Sequence, residues 1–554
     1  MKLQVINILG AILFFIGEGY AQHLPTRYPL QTKPLLSGNF GELRATHLHT
    51  GLDFKTEGRE GLPVICVKDG TAVRVFVSPG GYGRALYLSH PDGTTTVYGH
   101  LSRFEPGVGA LVKQIQYETE SFAIDRDIRS SRITFRAGDT IAYSGNSGSS
   151  GGPHLHFEVR DTRSEVALNP LLFLDIPDKE APQVKGVYLY TFSEEGVPLS
   201  RRRIPIREEG TRNYRGERTQ VPAGRVGIGV WAEDRVTGTT NRLGIYEMTM
   251  RAGEVPFFYF RMDTLLFGQG RLANELKDAQ LYKGRETVYT GFGYYQDKLP
   301  PVHSLNNGFL TIEKDSVIQV EVVLKDFSGN MARLQVALKG TERQPAPRPP
   351  GGAVYWNHRE VRSVVCGSYR AEATRETLSH SLYVTPRLDS CQLANGHVVE
   401  VFTLSERDYP LLKNISLQAR GIFPEKSLLC IVDAEKRLQP LRTTRLNDGL
   451  SAEAGTLGRY TVAVDTIPPQ VSFLGVANQK VRFRIWDEFS GIGKYRVEVN
   501  GSWSLFEYDP KQKLLEGDMR EAAFVKGENN IRVLVEDVSG NSTTVKMSVN
   551  NPKR

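Results

Sequence analysis

Cysteine is scarce in this chain: there are four among 554 residues, and no two of them stand in Cys-x-x-Cys spacing. Cysteine ligands of structural zinc sites usually come in such close pairs, so a zinc site built from cysteine is disfavoured. Cys366, Cys391 and Cys430 lie in one later region, and Cys66 lies far before them. In an exported protein one disulfide could form in that later region, although the spacing leaves its connectivity open.

Long apolar runs are lacking after the first residues of the chain. Residues 3–16 are nearly all apolar, Lys2 precedes them, and the small residues Gly19 and Ala21 follow. This pattern is typical of a secretory signal peptide, which we place at residues 1–21. The alternative is an uncleaved anchor, but the run is shorter than the stretch of about 20 residues that a spanning helix needs. We therefore expect an exported protein, in the periplasm or at the cell surface, with no transmembrane segment after signal removal.

The chain also lacks clusters of Lys and Arg interleaved with aromatic residues, so nucleic acid is not an expected partner. Its formal net charge is nevertheless +7. A basic balance of this kind suits work beside an anionic polymer or surface.

Helical periodicity is scarce too, and one of the few helix candidates begins at Ala273 with ANELKDAQLYK. Short runs of Val, Ile, Tyr, Phe and Thr, ended by Gly, Pro, Asn or Asp, dominate instead and predict strands. Between about residues 38 and 170 such runs follow one another with turns between them, which predicts a meander of antiparallel strands. The predicted fold class is therefore all-β, with one antiparallel β-sheet domain followed by three β-rich domains.

Two later segments share a pair of signatures. The Pro-containing stretches LDIPDKEAPQV and VDTIPPQV each lead into a β-rich run, and each run ends in an Asp-x-Ser-Gly-Asn turn between strands, at Asp326 and at Asp537. Such a turn alone is common. Its pairing with the leading stretch favours two homologous β-sandwich modules of immunoglobulin-like type, of which the first carries insertions.

These features divide the chain into four predicted domains. The domains cover residues 22–175, 180–340, 353–465 and 466–550. A Pro-rich linker, RQPAPRPPGG, gives an extended connection at 343–352. The domain at 353–465 is β-rich but carries no motif that indicates a function.

A His-Leu-His triplet begins at His154 and lies in a strand pattern. Alternate residues of a strand face the same side about 6.5–7 Å apart, so His154, His156 and Glu158 share one face. Only one of the two histidines need contact a metal ion, and the other would lie close beside it. Neutral imidazole nitrogens are common ligands of zinc.

A second triplet, His47-Leu48-His49, differs in its surroundings. Asp53 follows His49 by four residues, and Gly51 stands between them. A bend at Gly51 could bring the side chains of His49 and Asp53 to one ion. His47 has no such partner and is expected to be a bystander.

Three ordered motifs resemble those of one enzyme family. The segment HTGLD, from His49 to Asp53, resembles the H-x-G-x-D motif of the lysostaphin-type (LytM-domain) zinc endopeptidases. The segment HLHFE at His154 is similar to the H-x-H-F-E motif of that family, and YGHL at Tyr98 is similar to its Y-x-H-L motif. The resemblance spans about residues 38–170.

The resemblance implies an antiparallel β-sheet metallopeptidase domain that binds one Zn²⁺. The implied metal ligands are His49, Asp53 and His156. The implied catalytic residues are His154 and His100, which would activate water and stabilise the transition state. Further residues that could orient ligands or contact substrate are Glu158, Arg44 and Tyr98. Every motif position is filled, which argues against the degenerate members of the family that only activate other hydrolases.

Two departures from the family pattern stand out. Many members place a Tyr shortly before the first ligand, whereas this chain reads GNFGELRAT there, and Arg44 is our candidate substitute as oxyanion stabiliser. The stretch at residues 114–135 looks inserted, and we expect it to form a hairpin or loop at the rim of the cleft.

The resemblance implies a function in the bacterial envelope. The expected activity is hydrolysis of peptidoglycan stem peptides or cross-bridges by zinc-activated water, with the β-sandwich domains positioning the enzyme or binding envelope partners. Two alternatives stay open: a zinc endopeptidase that acts on proteins, and a non-catalytic wall-binding regulator of other hydrolases. The length of the β-sandwich domains also leaves open an added role in surface adhesion.

Overall fold

The computed structural model describes residues 27–406 and 409–552, so the predicted signal peptide lies outside the described residues. Strands dominate the described part of the chain, and most neighbouring strands pair antiparallel, which confirms the all-β class. The strands form four units in chain order. None of the helices in the described ranges is long and apolar enough to cross a bilayer.

The first unit is built on one large antiparallel sheet with the path β1-β2-β11-β6-β5-β4-β8, and a small sheet β3-β10-β7. Its strands are β1 (Leu36–Gly38), β2 (Leu52–Lys55), β3 (Pro63–Ile65), β4 (Gly70–Val77), β5 (Arg84–Ser89), β6 (Thr94–Gly99), β7 (Arg103–Phe104), β8 (Ile124–Asp127), β9 (Thr134–Phe135), β10 (Thr140–Tyr143), β11 (His154–Asp161) and β12 (Ala167–Leu168).

The helix α1 (Pro106–Glu118) contradicts part of our expectation for residues 114–135. The Glu105 side chain caps its first turn, and Val108, Val112 and Gln116 form a buried stripe at a spacing of four residues. Residues 114–118 are therefore the last turns of a helix, and β8 then pairs with β4, three strands away from β11. The predicted hairpin or loop at the rim of the cleft is wrong, because this segment covers the far edge of the sheet.

The second unit has two sheets, of five and eight strands. Its helix α2 (Ala279–Lys283) lies within the predicted helical stretch, and a 3₁₀ helix (Gly270–Glu275) overlaps the start of that stretch. Its strands are β13 (Gln183–Phe192), β14 (Pro198–Ile204), β15 (Ile206–Glu208), β16 (Asn213–Gly216), β17 (Thr219–Pro222), β18 (Gly224–Glu233), β19 (Glu247–Ala252), β20 (Val255–Arg261), β21 (Thr264–Leu265), β22 (Val288–Thr290), β23 (Val302–Ser304), β24 (Leu310–Ile312), β25 (Val317–Lys325) and β26 (Met331–Thr341).

The first two units are joined into one body. β12 of the first unit pairs with β21 of the second, and one cluster of buried apolar side chains runs from Leu30 to Leu338 through both. Burial of a continuous apolar surface is the dominant stabilising contribution in such a body. The second unit is therefore fixed against the first.

The third unit has two five-stranded sheets and one two-stranded sheet, with a core around Trp356, Phe402 and Tyr460. Its strands are β27 (Val354–Trp356), β28 (Arg362–Cys366), β29 (Tyr369–Ala373), β30 (Leu382–Val384), β31 (Arg387–Gln392), β32 (Val398–Thr403), β33 (Tyr409–Arg420), β34 (Ser427–Val432), β35 (Leu438–Pro440), β36 (Thr443–Leu446), β37 (Gly449–Leu457) and β38 (Arg459–Val464). All four cysteines of the chain are free, so the disulfide that we considered is not formed.

The fourth unit packs two four-stranded sheets around Phe483, Phe506 and Val533. Its strands are β39 (Gln470–Ala477), β40 (Lys480–Trp486), β41 (Ile492–Val499), β42 (Ser502–Trp503), β43 (Phe506–Asp509), β44 (Leu514–Asp518), β45 (Gly527–Asp537) and β46 (Ser542–Asn551). This unit contacts the first one: the ring centre of Trp503 lies 5.0 Å from that of Tyr117 on α1.

Candidate metal centre

Two paired strands bring the motif residues together. β2 and β11 are antiparallel neighbours, with Asp53 directly opposite His156. On β11, Leu155 and Phe157 point into the core and are fully buried, so His154 and His156 share the opposite face. The side-chain alternation expected from the sequence therefore places both histidines beside Asp53.

Three side-chain atoms form a nearly equilateral triangle. His49 Nε2 lies 3.0 Å from His156 Nδ1 and 3.1 Å from Asp53 Oδ1, and the last two atoms are 3.0 Å apart. All three residues are buried. Zinc bound tetrahedrally at about 2.0–2.1 Å separates its ligand atoms by about 3.3 Å, so the triangle matches one face of such a site.

In each of the two histidines, the ring nitrogen outside the triangle makes a hydrogen bond, and this bond determines which nitrogen is available to bind a metal. His49 Nδ1 lies 2.8 Å from the carbonyl oxygen of Asn39, and His156 Nε2 lies 2.8 Å from Glu158 Oε1. Since both partners are acceptors, these nitrogens carry the protons and donate. His49 Nε2 and His156 Nδ1 then face Asp53, and once deprotonated they would offer their lone pairs to an ion between the three residues, so the donor set fits zinc.

Glu158 holds the His156 ring in place through a network of buried hydrogen bonds. It is fully buried and accepts hydrogen bonds from Thr50 Oγ1 at 2.7 Å, Tyr82 Oη at 2.5 Å and Arg160 Nε at 2.7 Å, besides the one from His156. Burial alone would raise the pKa of Glu158, but the charge of Arg160 and the His156 hydrogen bond hold it well below its usual range. An ionised Glu158 holds the His156 ring in one orientation.

Arg44 contacts the second oxygen of Asp53. Its Nη2 lies 2.9 Å from Asp53 Oδ2, and its Nε lies 3.2 Å from Glu42 Oε1. Although burial opposes ionisation, His49 and His156 hold the pKa of Asp53 well below its usual range. This guanidinium therefore fixes the Asp53 carboxylate, and the proposed role of Arg44 as oxyanion stabiliser stays a prediction.

His154 and His100 face each other across the remaining side of the triangle. His154 donates from Nδ1 to the Gly152 carbonyl at 2.8 Å, which leaves Nε2 free at 3.5 Å from Asp53 Oδ1. His100 donates from Nδ1 to the Ser147 carbonyl at 2.9 Å, and the two rings are 4.7 Å apart. Burial lowers the pKa of His154 and lowers that of His100 to about 3, so both are neutral near pH 7.

Sequence comparison agrees with this geometry. The pattern of Peptidase family M23 matches residues 47–117. A curated relative from Haemophilus influenzae, described as an uncharacterized metalloprotease, is 36% identical over 162 residues, which are 28% of this chain and 27% of the relative. The first unit belongs to peptidase family M23, the lysostaphin-type metallopeptidases.

Two further matches cover a similar share of the chain. The DD-carboxypeptidase/endopeptidase Mpg of Neisseria meningitidis serogroup B is 32% identical over 166 residues, 30% of this chain and 32% of that protein. The chain thus spans about a third or less of the length of these curated relatives. Among solved structures, the catalytic domain of lysostaphin from Staphylococcus simulans is 26% identical, with a TM-score of 0.18, over 24% of this chain and 86% of that domain.

Tyr98 of the M23 domain lies away from the site. It is fully buried, lies opposite Phe157 in the β6–β11 pairing, and its ring centre lies 5.4 Å from that of Phe157, with the two rings tilted. Its position on the strand turns it to the core face, whereas Gly99 faces His156. Tyr98 is therefore a core residue and not the substrate contact that we considered.

Three residues of the M23 site were not predicted from the sequence: Tyr82, Thr50 and Arg160, which all donate hydrogen bonds to Glu158. Arg160 follows Glu158 by two residues on the same strand, so strand alternation could have revealed it. Thr50 and Tyr82 reach Glu158 through tertiary packing, for which the sequence carries no local signal. His47 has no place in the donor triangle.

The cleft above the M23 site has a volume of about 630 Å³ and is walled partly by the second unit. The residues of the second unit that line it are 265–270, 299 and 300. Phe267 in this wall stacks on the Arg160 guanidinium at 4.0 Å, although its side chain is 42% exposed. The M23 cleft is thus completed by a segment that lies outside the motif region.

Proposed function

We propose that the chain is an exported zinc metalloendopeptidase that hydrolyses peptide cross-links of bacterial peptidoglycan. The observation that carries this proposal is the buried triangle of His49 Nε2, Asp53 Oδ1 and His156 Nδ1, which leaves one side open to the cleft. Catalytic zinc sites have three protein ligands and an open fourth position. A zinc ion held there would supply Lewis acidity to the scissile carbonyl and to the attacking water.

His154 and His100 are proposed to move the proton. Because each donates from Nδ1 to a backbone carbonyl, each offers Nε2 as an acceptor on the cleft side. A neutral imidazole within hydrogen-bond reach of the attacking water can take a proton from it and pass the proton to a leaving amine. His154 Nε2 lies 3.5 Å from Asp53 Oδ1, so we assign the base to His154 and a supporting role to His100.

Several features support peptidoglycan as the substrate. The relatives include an enzyme named DD-carboxypeptidase/endopeptidase, and the resemblance to lysostaphin-type enzymes implies stem peptides or cross-bridges. The net charge of +7 suits an anionic wall polymer. The apolar side chains of Leu266 and Phe267 in the cleft wall would contact the peptide beside the cleaved bond.

The test is digestion of purified sacculi with the mature chain in the presence of zinc, with muropeptides identified by mass spectrometry. We expect release by the wild type and by His47→Ala, which is the matched control for a bystander histidine. Absence of release, with casein cleaved instead, would favour the endopeptidase that acts on proteins. Binding to sacculi with no cleavage of either substrate would favour the wall-binding regulator.

The same variants separate metal binding from proton transfer. His49→Ala removes one corner of the triangle, so we expect it to lose bound zinc and turnover together. His154→Ala leaves the triangle complete, so it should keep most of its zinc and lose turnover by about 10²–10⁴-fold. Zinc content measured by atomic emission decides the point, and equal zinc loss in both variants would contradict the division of roles.

A further inference from the structure

Three aspartates from separate segments meet at the junction of the M23 domain and the second unit. Asp178 precedes β13, Asp234 follows β18 directly, and Asp326 follows β25 directly. One carboxylate oxygen from each lies within 4.8 Å of those of the other two. Oxygen atoms bound to one ion at about 2.4 Å can be at most about 4.8 Å apart, so a single cation can reach all three.

One carboxylate oxygen of this cluster is buried without a partner. Asp234 is 4% exposed, and its Oδ1 has no hydrogen-bond partner although it is buried. None of the three aspartates forms an ion pair with Lys or Arg within residues 27–406 and 409–552. A buried carboxylate oxygen without a partner is costly, because it gives up its hydration and gains nothing in exchange.

The aspartates line a small cavity. Its volume is about 30 Å³, and its other walls include Leu36, Asn39 and Asn169 of the M23 domain. A space of this size holds one ion or one water and no larger ligand. The unpartnered oxygen of Asp234 and this cavity are two independent observations at the same place.

The fourth unit repeats the cluster at matching positions with Asp465, Asp487 and Asp537. Asp465 precedes β39 by five residues, as Asp178 precedes β13, and Asp487 follows β40 directly. Asp465 Oδ2 and Asp487 Oδ1 are again buried without a partner, and Asp465 is 2% exposed.

The hydrogen bonds around the two clusters agree in detail. In the second unit, Asn330 donates from its backbone N–H to Asp326 Oδ1 at 2.8 Å and from Nδ2 to Asp326 Oδ2 at 2.7 Å. In the fourth unit, Asn541 makes the same two bonds to Asp537, both at 2.8 Å. This supports homology of the two Asp-x-Ser-Gly-Asn modules. One difference is that Lys426 Nζ lies 2.6 Å from Asn541 Oδ1.

We propose that Asp178, Asp234 and Asp326 bind a calcium ion, and that Asp465, Asp487 and Asp537 bind a second one. Both clusters offer only carboxylate oxygens, which are ligands of hard cations and not of zinc-type centres with histidine or cysteine. Calcium accepts several direct carboxylates in irregular geometry, whereas magnesium keeps several waters, for which a cavity of about 30 Å³ has no room. Each ion would tie a module to the unit before it.

The direct test is equilibrium dialysis of the mature chain against ⁴⁵CaCl₂, with ZnCl₂ present so that the M23 site is filled. We expect two calcium ions per wild-type chain, one in Asp234→Asn, one in Asp487→Asn and none in the double variant. Asp448→Asn removes an exposed carboxylate elsewhere and is the matched control, which should keep two. Binding of no calcium at millimolar concentration, or unchanged binding in both single variants, would overturn the proposal, as would a preference for MgCl₂ over CaCl₂.

Thermal unfolding separates ion binding from a merely structural role of Asp234. Without calcium, Asp234→Asn should unfold at the same or a higher temperature than the wild type, because it replaces a buried carboxyl group that has an unpartnered oxygen. With millimolar calcium the order should reverse, since only the wild type gains stability from binding at that site. An equal deficit of the variant in both conditions would count against the site. If Asp234→Asn fails to fold, Asp326→Asn and Asp178→Asn carry the same test.

Discussion

At the scale of single residues, Glu158 decides how firmly the metal ligands are held. It contacts no metal itself but receives the Nε2–H of His156 and the charge of Arg160 while fully buried. Glu158→Gln offers one neutral acceptor in place of two charged ones and leaves Arg160 without its counter-charge. We expect zinc affinity to fall by about 10–100-fold, measured by competition with a chromogenic chelator.

The control for this prediction is Glu165→Gln. Glu165 also binds Arg160, at 3.2 Å, but its side chain is 57% exposed and does not contact His156. Exposed ion pairs contribute about 0–1 kcal/mol, so zinc affinity should be unchanged in this variant. Equal losses in the two variants would show that Arg160, and not the Glu158–His156 hydrogen bond, determines zinc affinity.

The residues of the donor triangle could be named from the sequence because they lie in short motifs that resemble those of the family. The His49–Asp53 spacing and the alternation along His154 to Glu158 are short-range patterns, and the structure places all of them at one site. Arg44 could be named but not placed, because its contact with Asp53 depends on how the preceding segment packs. Tyr98 was misjudged because a motif position does not reveal which strand face a side chain occupies.

At the scale of secondary-structure elements, Gly51 sets the distance between β2 and β11. A Cβ atom at Gly51 would lie 2.4 Å from the carbonyl oxygen of Phe157 and 3.0 Å from His156 Cε1. Because the first of these is backbone, Gly51→Ala must push the two strands apart and displace Asp53 from His156. We expect a loss of about 1–3 kcal/mol in the free energy of unfolding, together with weaker zinc binding.

Gly109 on α1 provides the comparison for this substitution. A Cβ atom there would meet no atom within 4 Å, and alanine is the better helix former. Gly109→Ala should therefore keep zinc and gain up to about 1 kcal/mol of stability in urea unfolding. If Gly51→Ala behaved like Gly109→Ala, strand separation would not be set by this glycine.

The strands of the M23 domain could be predicted from the sequence, but its helix could not. The strands of the M23 domain follow from short β-branched and aromatic runs between turn residues, and these were anticipated. The helix α1 was missed because its buried stripe consists of only three residues, one of which is the polar Gln116. Residues 114–135 looked like an insertion between two of the family motifs, yet the strand β8 within them pairs with the edge of β4.

At the scale of the whole molecule, domains that the sequence separates are held together by contacts between distant segments. The pairing of β12 with β21 and the shared core of the first two units join residues about one hundred positions apart. No local pattern indicates such contacts. Residues 265–270 form part of the wall of the M23 cleft, so the shape of this cleft depends on the second unit as well as on the motifs.

The fourth unit approaches the M23 site from the other side, beside the loop that precedes His154. Lys511 donates to the carbonyl oxygen of Ser150 at 3.3 Å, and Arg84 pairs with Glu507 at 2.6 Å. Gly152, whose carbonyl orients His154, lies in the same loop. The docked fourth unit should therefore restrict the motion of this loop.

Reversing the Arg84–Glu507 pair tests that coupling. Glu507→Arg places two cations together, so we expect faster amide hydrogen exchange in residues 146–152 and lower turnover, with zinc content unchanged. The pair is partly exposed, so the change in docking free energy should be about 1 kcal/mol and should shrink at high salt. Adding Arg84→Glu restores opposite charges in reversed order and should restore slow exchange. If the double variant exchanges as fast as Glu507→Arg, or if neither differs from the wild type, the pair does not hold the fourth unit against the loop.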